Sequence, residues 1–295
     1  MERQGYNAET IRGNSGALRA LLIRGASLFD PLTVKDVLAR EQRKFENGEK
    51  GWSSNRRRNI INAYSLFLKI NGLAWEKPKC KTERKNPFLP TEEEIKDLIA
   101  GSPQTVATLL QLLKETAMRV GEALRLKWID IDFEKYVIML NEAEKGGDPR
   151  IFNKSDLSPK LMNMLNGLPR INERVFGGKT RNSLKNTFSR ARARLASKLQ
   201  NPRLIEVHFH TLRHWALTMY QHKVHDIVLT ARFAGHRNIN NTMKYLHLEQ
   251  LLFNDVQDDF IVKTAKTPQE GARLIEVGFQ FVDVIDGIHL YKKRK

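Results

Sequence analysis

The stretch "WEKPKCKTERKNPFLP", from Trp75 to Pro90, constrains this chain more than any other. Proline has no amide proton and fixes its own backbone angle, so three prolines among many charges end regular structure. Apolar residues recur with helical spacing on both sides, so the chain divides here into two folding units. We expect a helical domain over residues 1–75, a basic linker over 76–90, a second domain over 91–262 and an extension over 263–295.

The first unit reads as helical from about Ala8 to Leu73. In "SSNRRRNIINAYSLFLKINGL" the side chains of Ile60, Ile61, Tyr64, Phe67 and Leu68 share one face. Ser53 or Ser54 caps the start and Gly72 stops the end. Arg56, Arg57 and Arg58 crowd the first turns, either as a solvated surface or facing phosphates.

The second unit opens with "TEEEIKDLIAG", where Thr91 and Glu94 make a capping box and Gly101 closes the helix. An amphipathic helix follows in "ATLLQLLKETAM", and "YVIMLNEAEKGGDPRIFNKSD" reads as two short strands around a Gly-Gly turn. The helix "KNTFSRARARLASKL" carries Arg190, Arg192 and Arg194. Helices are expected again from Thr211 to about Gln221 and from Asp226 to Ala234, the second stopped by Gly235. The end of the chain reads as a short helix and then a hairpin turning at Asp286-Gly287. The fold class is mainly α with a small antiparallel β-sheet.

Charge narrows the partners. Lys and Arg number 50 against 33 Asp and Glu, a formal charge of +17, in a chain that is 41% hydrophobic and therefore able to fold around real cores. Such a basic globular composition favours a polyanion, with nucleic acid first. No apolar run approaches the roughly 18 residues of a membrane span, and the N-terminus has no signal-peptide pattern, so a cytoplasmic, DNA-associated protein is expected. Cys80 is the single cysteine and has no internal disulfide partner.

Two tempting motifs fail. "FGGKT", residues 176–180, ends like a phosphate-binding loop, but Glu173 stands where that loop needs its first glycine. Seven of the eight histidines lie between His208 and His247, and His210 and His214 are spaced to share a zinc ion. No HExxH, no CxxC and no third ligand at fixed spacing accompanies them, and phosphate binding or proton transfer explains the cluster more economically. Neither a cofactor nor a metal is expected.

The remaining signal is a set. His210 and Arg213 are three apart in "HFHTLRHW", and share a face if a helix begins near Thr211. His236 follows directly after Gly235, and Tyr245 comes nine residues later in "AGHRNINNTMKYLHLEQ". Singly, each has an ordinary structural role: Tyr245 fits a core as well as a nucleophile. Their joint order resembles the tyrosine recombinase family of integrases and Xer-like recombinases, whose H-x-L-R-H, G-H and tyrosine signatures match "HTLRH", "ARFAGH" and "YLH". The upstream signature matches "ETAMRVGEALRLKWIDID", with Ala117 where many members carry glycine, and the family's strand-turn lysine matches Lys145 in "EKGGDPR".

The resemblance implies a helical core-binding domain and an α+β catalytic domain on double-stranded DNA. It implies a site-specific recombinase that assembles as a tetramer, sometimes with accessory proteins. Tyr245 is the implied nucleophile, Arg119 and Arg213 clamp the phosphate, His236 bonds it, His210 is the candidate base and Lys145 the general acid. The chemistry agrees: phosphoryl transfer loads charge onto non-bridging oxygens, which guanidinium forks hold well, and a 3′-phosphotyrosyl bond conserves the energy for rejoining without ATP. Arg56, Arg57, Arg58, Arg190 and Arg194 are expected on the DNA, and by the resemblance a segment after Tyr245, "EQLLFNDVQDDFIV", is expected to dock on a neighbouring protomer. The terminal hairpin with "YKKRK" reads first as a solvated basic tail, with DNA binding, packing against the catalytic domain and assembly as the alternatives. A type IB topoisomerase would share the chemistry, and a helix-turn-helix regulator would use "DIVLTARFAGHRNINNTMKYL" with Tyr245 in its core.

Overall fold

The computed structural model describes every residue except 1, 3–4, 82–85, 145, 254–259, 286 and 295. The chain forms two compact units, Met1–Lys85 and Asn86–Lys295. Among the described residues no helix is long and apolar enough to cross a membrane.

The first unit packs α1 (Ala8–Leu22), α2 (Pro31–Glu46) and α3 (Ser54–Ile70) around Leu21, Val34, Ile60, Tyr64 and Leu68. Each helix starts on a side chain that accepts from an otherwise unpaired amide: Asn7 from Thr10, Asp30 from Leu32 and Ser53 from Arg56. Gly72, at φ +69°, turns the chain out of α3. The chain beyond this turn does not stand off as a linker. The Trp75 ring meets Tyr64 edge-on at 4.7 Å and its Nε1 donates to Ser65 Oγ at 3.1 Å. Lys77 donates to Asn62 Oδ1 at 2.8 Å and the Cys80 thiol to the Ser54 carbonyl at 3.3 Å. The first part of the expected linker is therefore laid along α3, because burying the tryptophan against an aromatic cluster outweighs leaving it in water.

The second unit is built on α4 (Glu92–Ala100), α5 (Gln104–Thr116), α6 (Val120–Arg125), α7 (Pro159–Asn166), α8 (Arg181–Lys198), α9 (Phe209–Val224), α10 (Ile227–Ala234) and α11 (Asn240–Phe253). Its core runs through Ile95, Leu98, Leu109, Leu113, Leu161, Leu165 and Leu212. α5 is buried on almost every face, which explains its long apolar run. The Thr91–Glu94 capping box is present, with bonds of 2.8 and 3.2 Å.

Against the core lies an antiparallel sheet of β1 (Ile131–Asp132), β2 (Val137–Leu140) and β3 (Arg150–Phe152), with Ile138 paired to Phe152 and Leu140 to Arg150. The two expected strands are joined by a third, β1, too short to show alternation.

A second sheet closes the chain. β4 (Phe260–Ala265), α12 (Pro268–Glu276), β5 (Gln280–Ile285) and β6 (Ile288–Arg294) form a sheet of order β4-β6-β5 around Ala265, Phe279 and Tyr291. The expected hairpin is there, with Ile285 paired to Ile288 and Gly287 at φ +76°, while Asp286 lies outside the described residues. The expected boundary at residue 262 falls inside β4, whose residues pair with β6 from Phe260 onward. Of the segment expected to dock on a neighbour, Glu249 to Phe253 end α11, residues 254–259 lie outside the described residues, and the last three open β4.

Candidate active site

Two left-handed turns and one helix end bring the site together. α5 stops at Ala117, which adopts φ +50°, a conformation costly for any residue with a Cβ. That turn aims the Ala117 carbonyl at Arg213, whose Nη1 donates to it. α10 stops at Gly235, φ +65°, with the Gly235 N–H on the Arg232 carbonyl and the His236 N–H on that of Ala231, the paired bonds of a Schellman end. A Cβ on Gly235 would lie 2.9 Å from Arg150 Nε, so glycine is required for space as well as for φ. The last carbonyl of α10, on Ala234, faces inward and accepts from Arg213 Nη2 at 2.7 Å and Arg150 Nη1 at 2.9 Å. The negative end of the helix dipole thus holds two guanidiniums.

Glu122 is the counterweight. Its carboxylate is fully buried and accepts from the Arg119 N–H at 2.8 Å, Arg119 Nη1 at 2.9 Å, the Glu144 N–H at 3.0 Å and Arg150 Nη2. Burial opposes its ionisation, but Arg150 and the two amides outweigh that and hold the carboxyl below the usual range. Arg150 was not among the residues singled out in the sequence. It opens β3 and is 6% exposed. Among the described residues this cluster sets three guanidiniums, Arg119, Arg150 and Arg213, against the Glu122 carboxylate.

Arg213 is 2% exposed. Burial first, then Arg119 and Arg150, bring its pKa to about 10, which leaves it a cation at neutral pH. Its Nη2 also lies 3.0 Å from His236 Nε2. Arginine only donates, so Nε2 accepts and the proton sits on Nδ1, which is 2.9 Å from Thr242 Oγ1. Burial and the same arginines press His236 down to about 4, so it is neutral.

Tyr245 lies on α11, 1% exposed, packed with Ala117, Leu217, Ala234 and Leu248. Its hydroxyl is 3.1 Å from Nδ1 of His214. Burial pushes the phenol up to about 12, against the opposing pull of Arg213 and Arg119, so the group is stored protonated. His214, pressed to about 3 by burial and then by Lys244 and His210, is neutral as well. His210, the base expected from the sequence, is exposed, and its ring meets that of His214 edge-on at 4.5 Å. The helix starts at Phe209, two residues earlier than expected, which puts His210 in the first turn of α9. Lys145 lies outside the described residues; the turn beside it brings Gly147 against the Gly235 carbonyl, 2.9 Å from where a Cβ would be.

The arginines expected on DNA divide. Arg56 and Arg58 are exposed on α3, whereas Arg57 turns back to donate to Gln42 of α2. Arg190 is exposed on α8, and Arg194 donates to the Gly101 carbonyl at 2.8 Å, tying α8 to the end of α4.

Cations and neutral imidazoles around a phenol make a site for an anion, not for a metal. The sequence profile of the phage integrase family matches residues 90–251, which include every described residue of this site. The chain belongs to the phage integrase family. Tyrosine recombinase XerA of Pyrococcus furiosus is 27% identical over 251 residues, 83% of this chain and 85% of that protein. The shufflon-specific DNA recombinase of Escherichia coli is 30% identical over 175 residues, 58% of this chain but only 42% of that protein. Among solved structures, a lambda integrase tetramer bound to a Holliday junction superposes with a TM-score of 0.59 at 15% identity, covering 82% of this chain and 72% of that one, a likeness of fold. Within the integrase family, then, this member has the mainly α fold with small antiparallel sheets that was expected.

Proposed function

We propose that this integrase is a site-specific DNA recombinase that cuts and rejoins strands through a 3′-phosphotyrosyl bond at Tyr245. The observation that carries the reading is the placing of Arg213, held by the Ala117 and Ala234 carbonyls with His236 on its free edge, beside the buried Tyr245 phenol. Arg119 and Arg213 neutralise the non-bridging oxygens of a scissile phosphate, and His236 adds a hydrogen bond to it once its proton moves from Nδ1 to Nε2 and Arg213 turns from that nitrogen to the phosphate. Tyr245 Oη attacks phosphorus as the 5′ oxygen departs, and the reverse attack restores the phosphodiester, so the energy of the bond is kept and no nucleotide is consumed. His214, at about 3, is too weak a base to take the phenolic proton and serves to orient the hydroxyl. His210, beside it and open to the DNA side, is the proposed proton acceptor, and Lys145 is the proposed donor to the departing 5′ oxygen.

Double-stranded DNA is the partner, with Arg56, Arg58 and Arg190 as phosphate contacts and four copies on a pair of recombining sites. Localisation with the DNA in the cytoplasm follows from that partner. A helix-turn-helix regulator would need α10, Gly235 and α11 but none of the Arg119, Glu122, Arg150 and Arg213 network. Incubation with two distinguishable duplexes bearing the recombination site tests the reading: exchanged strands support it, and supercoil relaxation without exchange assigns the same chemistry to a topoisomerase instead.

A further inference from the structure

Two histidines that the site leaves unused meet at the far end of α9. His222 is in its last turn, and the helix ends on His225, whose φ of +50° swings the chain back over that turn. Opposite stands Glu249 of α11. Nδ1 of His222 lies 3.1 Å from Glu249 Oε1, and Nδ1 of His225 lies 3.7 Å from the same oxygen. One ligand atom from each of the three residues lies within 4.8 Å of the others.

The spacing and the donor set both fit a transition ion. Zinc bonds of about 2.0–2.2 Å place ligand atoms roughly 3.3 Å apart around a tetrahedron, so these atoms need to close by at most about 1.5 Å. Two imidazoles and one carboxylate suit zinc and its first-row neighbours, whereas calcium and magnesium prefer oxygen throughout. The ligands are already oriented. The His222 ring stacks on Phe253 at 3.7 Å with planes 14° apart, and the Glu249 side chain is only 12% exposed, its carboxylate partly withdrawn from water.

We propose that His222, His225 and Glu249 form a structural site for a divalent first-row transition ion of the zinc class, with water completing the tetrahedron. The site lies outside the phosphate-binding cluster and takes no part in phosphoryl transfer. Glu249 follows Tyr245 by one helical turn on α11, and His222 is on the helix that carries Arg213. An ion here would brace the nucleophile's helix against the helix of the phosphate clamp.

Tag-free full-length protein, stripped with a chelator and dialysed, is titrated with Co²⁺ while the visible d–d bands of low-coordinate cobalt are followed. The expected result is one ion per chain, displaced by Zn²⁺. Glu249→Gln and His225→Asn each weaken cobalt binding by more than about tenfold while the stripped proteins melt at the parent's temperature. Asparagine is chosen because it tolerates the left-handed backbone at that position. Tyr245→Phe binds cobalt like the parent, which separates this site from the proposed chemistry. Absence of the bands, or cobalt binding that both ligand variants retain, overturns the proposal.

Discussion

The hydroxyl of Tyr245 rests on Nδ1 of His214, 3.1 Å away, and not on the exposed His210. In the proposed reaction, a buried phenol bonded to a neutral imidazole is a nucleophile kept in its unreactive form. On that proposal, DNA arrival changes its surroundings by placing a phosphate among Arg119, Arg213 and His236.

That storage has a cost in alkali. The folded phenol ionises near 12 and the unfolded one near 10, so below pH 10 the group adds no pH dependence. Between about pH 10 and 12 only the unfolded chain loses this proton, and stability falls by about 2–3 kcal/mol. Thermal melts of the parent and Tyr245→Phe across that range check it: the variant is expected to lack this share of the alkaline loss.

The two half-buried imidazoles act in the opposite direction. His236 and His214 stay neutral when folded down to about 4 and about 3, whereas an unfolded histidine takes up a proton near 6.5. Their contribution is intact above pH 6.5 and is lost progressively as pH falls towards those values. Melts of His214→Phe between pH 7 and 4 are expected to decline less steeply than the parent's.

Ala117 holds a left-handed backbone that glycine adopts without penalty. Ala117→Gly is expected to stabilise the protein by up to about 1 kcal/mol and to leave DNA cleavage intact, because the carbonyl that receives Arg213 keeps its place. Gly235→Ala is expected to do the reverse, costing at least about 1–2 kcal/mol and displacing Arg150. Denaturant melts of both variants measure the pair.

Arg150 and Glu122 are buried together, and removing one leaves the other charged without its partner. Arg150→Ala is expected to cost about 3–5 kcal/mol, more than a surface arginine by several-fold. Arg150→Ala with Glu122→Gln is expected to recover part of that loss, and a double-mutant cycle measures the coupling.

Much of this arrangement was legible in the sequence because it is local. The face of α3, the Thr91–Glu94 box and the Gly235 stop each lie within a few residues, where periodicity and capping speak directly. Arg213, His236 and Tyr245 stood out by their order and spacing, whereas Arg119 was singled out only through the resemblance to the recombinase signature. Arg150 was not: it meets Glu122 across 28 positions and the Ala234 carbonyl across 84, contacts that exist only once β3 has paired with β2. The same holds for His214, whose partner Tyr245 is 31 positions away, and for β4, whose extent depends on β6. The Trp75 contact with Tyr64 shows the limit of composition, since a charged, proline-rich stretch is still drawn onto a helix by one aromatic ring.

In the proposed reaction Tyr245 becomes covalently joined to DNA. Incubating the protein with nicked or half-site duplexes and with supercoiled plasmid, then denaturing it, tests this directly. The expected result is an adduct that survives denaturant, maps to the Tyr245 peptide and leaves a free 5′ hydroxyl. It is absent from Tyr245→Phe and reduced by about a hundredfold or more in Arg213→Lys, which keeps the charge but loses the fork. An adduct that persists in Tyr245→Phe, or none on any of these DNAs, would contradict it.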